Sequence, residues 1–181
     1  MPHPFCPMIG MARPSAGDMT DSRTAHLPPA AKRVAEAAGD LHLDIEVIEM
    51  ASSTRTAEEA AAACGCDVGQ IVKSLVFRGV ATDAPYLVLA SGKNRIDEAK
   101  AGQALGEPIE RPDANYVRDT TGFAIGGIPP FGHPVPMRVL MDPDLLAFPA
   151  VWAAAGTPRC VFKVDPAELR DAIAADVAPL T

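Results

Sequence analysis

Gln70-Ile71-Val72-Lys73-Ser74-Leu75-Val76-Phe77-Arg78, followed after a short interval by Tyr86-Leu87-Val88-Leu89-Ala90, is the stretch that decides the architecture. Both runs are rich in apolar and β-branched residues, and the segment 79–85 between them carries turn chemistry, so together they predict a hairpin. The second run has no polar side chain after Tyr86, which predicts a central strand covered on both faces. In the first run, alternation with period two puts Lys73 on the same face as Ile71, Leu75 and Phe77. An ammonium among apolar neighbours either snorkels to an edge, its stem covering apolar surface, or faces a pocket that supplies negative charge.

Upstream of the hairpin, Pro28 and Pro29 open a helix over residues 30–38 that stops at Gly39. A strand follows over 45–49. A second helix over 56–63 has Ser53 or Thr54 as N-cap, acids in its first turn and Gly65 as its stop. Downstream, residues 96–105 predict a helix ended by Gly106, with shorter helices over 114–118 and 144–155, the latter ended by Gly156. Strands are predicted over 123–125, 135–141 and 160–164, and Asp165-Pro166-Ala167-Glu168 opens a last helix. Helices and strands interleave irregularly, without βαβ rhythm or internal repeat, so the expected class is α+β with a mixed sheet. The length of 181 residues suits one domain over 26–181 behind a mobile extension over 1–25.

Formal net charge is −7, the wrong sign for a surface that grips a long run of phosphates, which argues against DNA as a partner. Residues 55–118 carry eight Lys/Arg against nine Asp/Glu, so the acidity lies mostly outside the middle of the chain. Aromatic residues make up only 5%, too few for a base-stacking platform. Four unevenly placed cysteines do not form a disulfide framework, and neither a signal-length nor a membrane-length apolar run occurs. The expectation is a cytoplasmic protein with no membrane partner.

Nucleophile-elbow, Walker A, HExxH and GxGxxG signatures are all missing. The four histidines are scattered, and Cys64-Gly65-Cys66 lacks a second ligand pair at zinc spacing, so neither metal nor cofactor is expected. Cys64 ends an alanine-rich helix and Cys160 alternates with Phe162 and Val164, which reads as core packing rather than thiol chemistry. The remaining unusual segment is Gly126-Gly127-Ile128-Pro129-Pro130-Phe131-Gly132-His133-Pro134. Three glycines and three prolines in nine residues cannot continue a helix or central strand. Such a segment is either a rigid turn or a loop whose bare amides hold an oxyanion or carbonyl.

Taken together, Gln70 through Phe77, Thr121-Gly122-Phe123 with Gly126-Gly127-Ile128, and Pro130 with Gly132 resemble the YbaK/ProX family of aminoacyl-tRNA deacylases. That family includes bacterial Cys-tRNA(Pro) deacylase and the editing domain inserted in some prolyl-tRNA synthetases. Fainter likeness runs through 54–61, 97–106 and 152–156, so the resemblance covers about residues 30–178. Pro129 and His133 depart from the cysteine-editing pattern, in which a small polar residue precedes the loop proline.

The resemblance implies a mixed, partly barrel-like β-sheet surrounded by helices and bearing one pocket. It also implies hydrolysis of the ester between an amino acid and the terminal adenosine of a transfer RNA. On that footing Lys73 anchors the substrate and the N–H groups around Gly127, in the Gly126-Gly127 loop, hold the carbonyl, with Gly126, Ile128, Pro130, Gly132 and His133 around the substrate. Ser91 and Asn94, just after the central strand, are expected to bond substrate, and Lys93 and Arg95 to meet tRNA phosphates. The expected partners are the acceptor end of an aminoacyl-tRNA and a synthetase. Two alternatives stay open: a non-catalytic module that binds an aminoacyl-tRNA end or a synthetase, and an unrelated enzyme in which Lys73 forms a Schiff base.

Overall fold

A computed structural model describes residues 24–181; all but the last two residues of the extension expected over 1–25 lie outside it. In chain order the elements are α1 (Pro29–Asp40), β1 (Val47–Glu49), α2 (Ala57–Cys64), β2 (Val72–Gly79) and β3 (Pro85–Ser91). They continue with α3 (Glu98–Leu105), β4 (Ile109–Glu110), α4 (Ala114–Thr121), β5 (Arg138–Met141), β6 (Val151–Ala154), β7 (Cys160–Val164), α5 (Pro166–Ala172) and β8 (Asp176–Val177). Short 3-10 turns occupy Val68–Gln70 and Pro143–Ala147.

β3 is buried on both faces, as its apolar run predicts. Leu87 and Leu89 point into one apolar cluster, Val88 and Ala90 into a second, and all four are fully buried. β2 pairs with it antiparallel, Lys73 opposite Ala90, and β5 pairs parallel on its other side. β4 extends the far end of β2 and β8 extends β5, giving the order β4-β2-β3-β5-β8. A second, antiparallel sheet has the order β1-β7-β6. One parallel bridge, Ile71 to Trp152, joins the sheets, so the assembly curves towards a barrel without closing into one.

The helix ends follow local chemistry. Thr56 caps α2: its hydroxyl accepts from the Glu59 N–H at 3.1 Å while the Glu59 carboxylate accepts from the Thr56 N–H at 3.3 Å. The cap therefore falls beyond the expected Ser53 or Thr54; Thr54 instead donates its hydroxyl to the Pro158 carbonyl at 2.9 Å, tying the helix entry to the loop after β6. Asp97 and Asp165 cap α3 and α5, and Gly106 ends α3 with φ +92°.

Two predicted elements take other forms. The helix expected over 144–155 is instead a 3-10 turn followed by β6. Pro149 interrupts it, and Val151 and Ala153 then alternate into the core while pairing with β7 outweighs the helix propensity of the alanines. The strand expected over 123–125 is irregular: Phe123 is buried, but the chain turns immediately at Ile125 and Gly126. The glycine and proline loop is anchored from below by Phe131, whose ring lies 5.4 Å from that of Phe162 on β7. Phe162 is fully buried, so Phe162→Ala is expected to cost about 3–5 kcal/mol, measured as a lower midpoint in urea denaturation at unchanged slope.

Candidate functional site

β4 pairs with β2 only at Arg78 and Gly79, which leaves the first half of β2 without a strand on that edge. β6 approaches there through the Ile71–Trp152 bridge but makes no further ladder with β2. The opening between the two strands is a cleft of about 320 Å³. β2 contributes Val72 to Leu75 and β6 contributes Trp152 to Ala154; Ala57, Ala60 and Cys64 of α2 form one wall, and Ile125, Gly126 and Ile128 form another.

Lys73 stands on this lining with its ammonium donating to the Asn94 carbonyl. It is half-buried, and burial lowers its pKa from the ordinary lysine value, opposed by the carboxylates of Glu58 and Asp142. An ammonium has three donors, and the protein takes up one of them here. Two neighbours that the sequence reading missed share the cleft. Among the described residues Ser74 has a buried hydroxyl with no hydrogen-bond partner, and Arg55, exposed and without an ion-pair partner there, packs its stem 3.8 Å from where a side chain on Gly126 would begin. Arg55 is only a lone cation near a helix cap in the sequence, and Ser74 looks like the polar alternate of a strand.

The loop segment does not act as one unit. Gly126, with φ +92°, closes a turn in which the Gly127 N–H donates to the Ala124 carbonyl at 3.0 Å. The Gly127 N–H is thereby spent inside the turn, whereas among the described residues no hydrogen bond uses the N–H groups of its neighbours Gly126 and Ile128. Gly127 is instead a packing requirement, since a side chain there would meet the Thr157 backbone at 2.7 Å.

Pro130, Gly132 and His133 do not reach the cleft. They line a separate groove against α1 and the end of α5, because the Pro129-Pro130 pair carries the chain away from the turn and Phe131 pins it to the core. His133 stacks edge-on against Phe123 at 5.9 Å, and neither ring nitrogen has a hydrogen-bond partner among the described residues. Burial lowers its pKa below the usual 6.5; the carbonyls of Thr121 and Pro129 lie near enough to oppose this without meeting hydrogen-bond geometry.

Ser91 and Asn94 are drawn inward rather than towards the cleft. The Ser91 hydroxyl donates to the Gly69 carbonyl at 2.8 Å, and the Asn94 amide donates to Asp142 at 2.7 Å and Asp144 at 2.9 Å. Lys93 pairs with Asp144 at 3.8 Å and lies 5.8 Å from the Phe148 ring centre, whereas Arg95 is exposed. Neither lines the cleft. Cys64 does, but burial and Cys66 push its thiol pKa up to about 11, so the thiol remains protonated near neutral pH. No group of metal-ligating side chains occurs among the described residues.

Residues 51–172, which hold every lining residue of the cleft, match the aminoacyl-tRNA editing domain. The chain belongs to the aminoacyl-tRNA editing family. It is 35% identical over 126 residues to the uncharacterised protein YwhH of Bacillus subtilis (strain 168), covering 70% of this chain and 80% of YwhH. A crystal structure of a candidate trans-editing enzyme for prolyl tRNA synthetase is 50% identical with a TM-score of 0.80, over 86% of this chain and 98% of that one. The hypothetical protein APE2540 is 30% identical with a TM-score of 0.77, over 82% of this chain and 98% of its own. In this editing domain the close approach of the turn to the Thr157 backbone depends on Gly127, so Gly127→Ala is expected to destabilise the fold by about 1–3 kcal/mol. The check is a thermal melt, in which an unchanged midpoint contradicts the close approach to Thr157.

Proposed function

We propose that this chain is a trans-editing hydrolase that cleaves the ester of a mischarged aminoacyl-tRNA, Lys73 anchoring the substrate in the cleft. The observation that carries the reading is an ammonium on the wall of a mainly apolar cleft, with donors to spare beyond its bond to Asn94. The ester is already activated, so hydrolysis needs positioning and charge stabilisation more than a strong nucleophile. Water attacks the carbonyl carbon, charge develops on its oxygen, and the ribose hydroxyl leaves with a proton. The N–H groups of Gly126 and Ile128, which bond nothing among the described residues, hold that oxygen, and the Ser74 hydroxyl offers a further donor. Arg55 at the cleft takes a terminal phosphate, with exposed Arg95 as a second contact.

Likeness to the candidate trans-editing enzyme for prolyl tRNA synthetase favours a transfer RNA charged by that synthetase, with the synthetase as partner. The protonated Cys64 disfavours a thiol nucleophile, and the groove around His133 lies apart from the cleft. The test is a deacylation panel of mischarged tRNAs, corrected for spontaneous ester hydrolysis. Lys73→Ala is expected to lose about a hundredfold to a thousandfold in rate with an unchanged melting profile. A wild-type protein that protects the esters instead of cleaving them is a binding module, and the hydrolase reading then fails. Because burial lowers the Lys73 pKa, activity that depends on the ammonium should fall as pH rises through that value, below the ordinary lysine range. His133→Ala should leave this profile in place.

A further inference from the structure

Behind the cleft lies a buried carboxylate that the proposed chemistry does not use. Asp142, at the end of β5, is 2% exposed. One of its oxygens accepts from the Ser91 N–H at 3.1 Å and the Asn94 side-chain amide at 2.7 Å, and the other accepts from the Asp144 N–H at 3.0 Å. Ser91 ends β3, and Asn94 lies three residues on, in a turn closed by its own N–H to the Ser91 carbonyl at 2.9 Å. That turn presents the Asn94 carbonyl to the Lys73 ammonium. One carboxylate thus clamps both ends of the turn that holds the lysine.

A buried carboxylate is costly unless its lone pairs are satisfied, and here donors from the ends of β3 and β5 satisfy them. Such a cluster is rigid because loosening any member leaves a charge unpaired in a low-dielectric setting. The charged groups that bear on Lys73 are Glu58 from α2 and Asp142 from the end of β5; both favour its ammonium form against burial. Asp144, exposed, shares the Asn94 amide and pairs with Lys93.

We propose that Asp142 is the positioning residue for Lys73, fixing the Asn94 carbonyl that aims the ammonium at the substrate and supplying the fixed negative charge behind it. This rests on the deacylase reading for its consequence in catalysis, but the placement of Lys73 can be measured without catalysis. The experiment compares wild type and Asp142→Asn by NMR titration of the Lys73 side chain, assigned with Lys73→Arg, and by single-turnover deacylation across pH. In Asp142→Asn the Lys73 titration midpoint is expected to move to lower pH, the alkaline limb of deacylation to move with it, and the rate to fall about tenfold or more. A merely structural role would lower the rate or the melting temperature without moving either midpoint.

If Asp142→Asn does not fold, Asn94→Ala serves instead: it keeps the carbonyl but frees the turn, and it should lower the rate and broaden the Lys73 resonance. An unmoved Lys73 midpoint in folded Asp142→Asn overturns the inference, as does Asn94→Ala indistinguishable from wild type. A midpoint that moves in a protein that deacylates nothing leaves the positioning intact and removes the deacylase reading instead.

Discussion

A lysine ammonium placed in the middle of an apolar hairpin must find oxygen, and this constraint organises the cleft. Lys73 reaches a backbone carbonyl, that of Asn94, rather than a carboxylate. A carbonyl stabilises the positive charge without neutralising it, so the ammonium keeps its field for a second partner. Acidic groups act on it from greater distance, through Glu58 and Asp142, and offset its desolvation. The strand pairing, the turn after β3 and the end of β5 converge on that one nitrogen.

The walls divide the remaining tasks. The cleft is lined mainly by apolar side chains, many of them from α2, β2 and β6, and a wall of low polarity strengthens the few charges near it. The Thr54 and Thr56 hydroxyls on its lining are engaged within the protein, and its further polar groups include the Lys73 ammonium, the lone Ser74 hydroxyl, Arg55 and the turn amides of Gly126 and Ile128. Sites of this type bind through shape and fix orientation through a small number of directed bonds. The chain as a whole is acidic, so its exposed arginines stand as local cations rather than as part of a long basic surface.

Much of this was legible in the residues. The unbroken apolar run of β3 announced a strand buried on both faces, and the period-two position of Lys73 announced a charge needing a pocket or an edge. Capping chemistry set the ends of α2, α3 and α5 within a few residues. What sequence could not convey was direction at long range. Ala153 and Ala154 have high helix propensity, and only pairing with β7 makes them a strand. The Gly126 to Pro134 segment looked like one loop, yet its proline pair sends its halves into two different depressions. Asn94 looked like a substrate ligand, and only the fold reveals that its side chain is occupied by carboxylates while its carbonyl does the work.

The lone bridge between Ile71 and Trp152 carries a mechanical consequence. The two sheets also share one apolar cluster, Val72, Leu87 and Met141 of one packing with Val151, Ala153 and Phe162 of the other, so the bridge fixes the spacing of β2 and β6 at the cleft while the common core holds the sheets together. Trp152 sits at that bridge and also on the lining, with the exposed Lys163 6.0 Å from its ring centre. The room available to a ligand on that wall is therefore limited by the bulk of one indole, held where the two sheets meet.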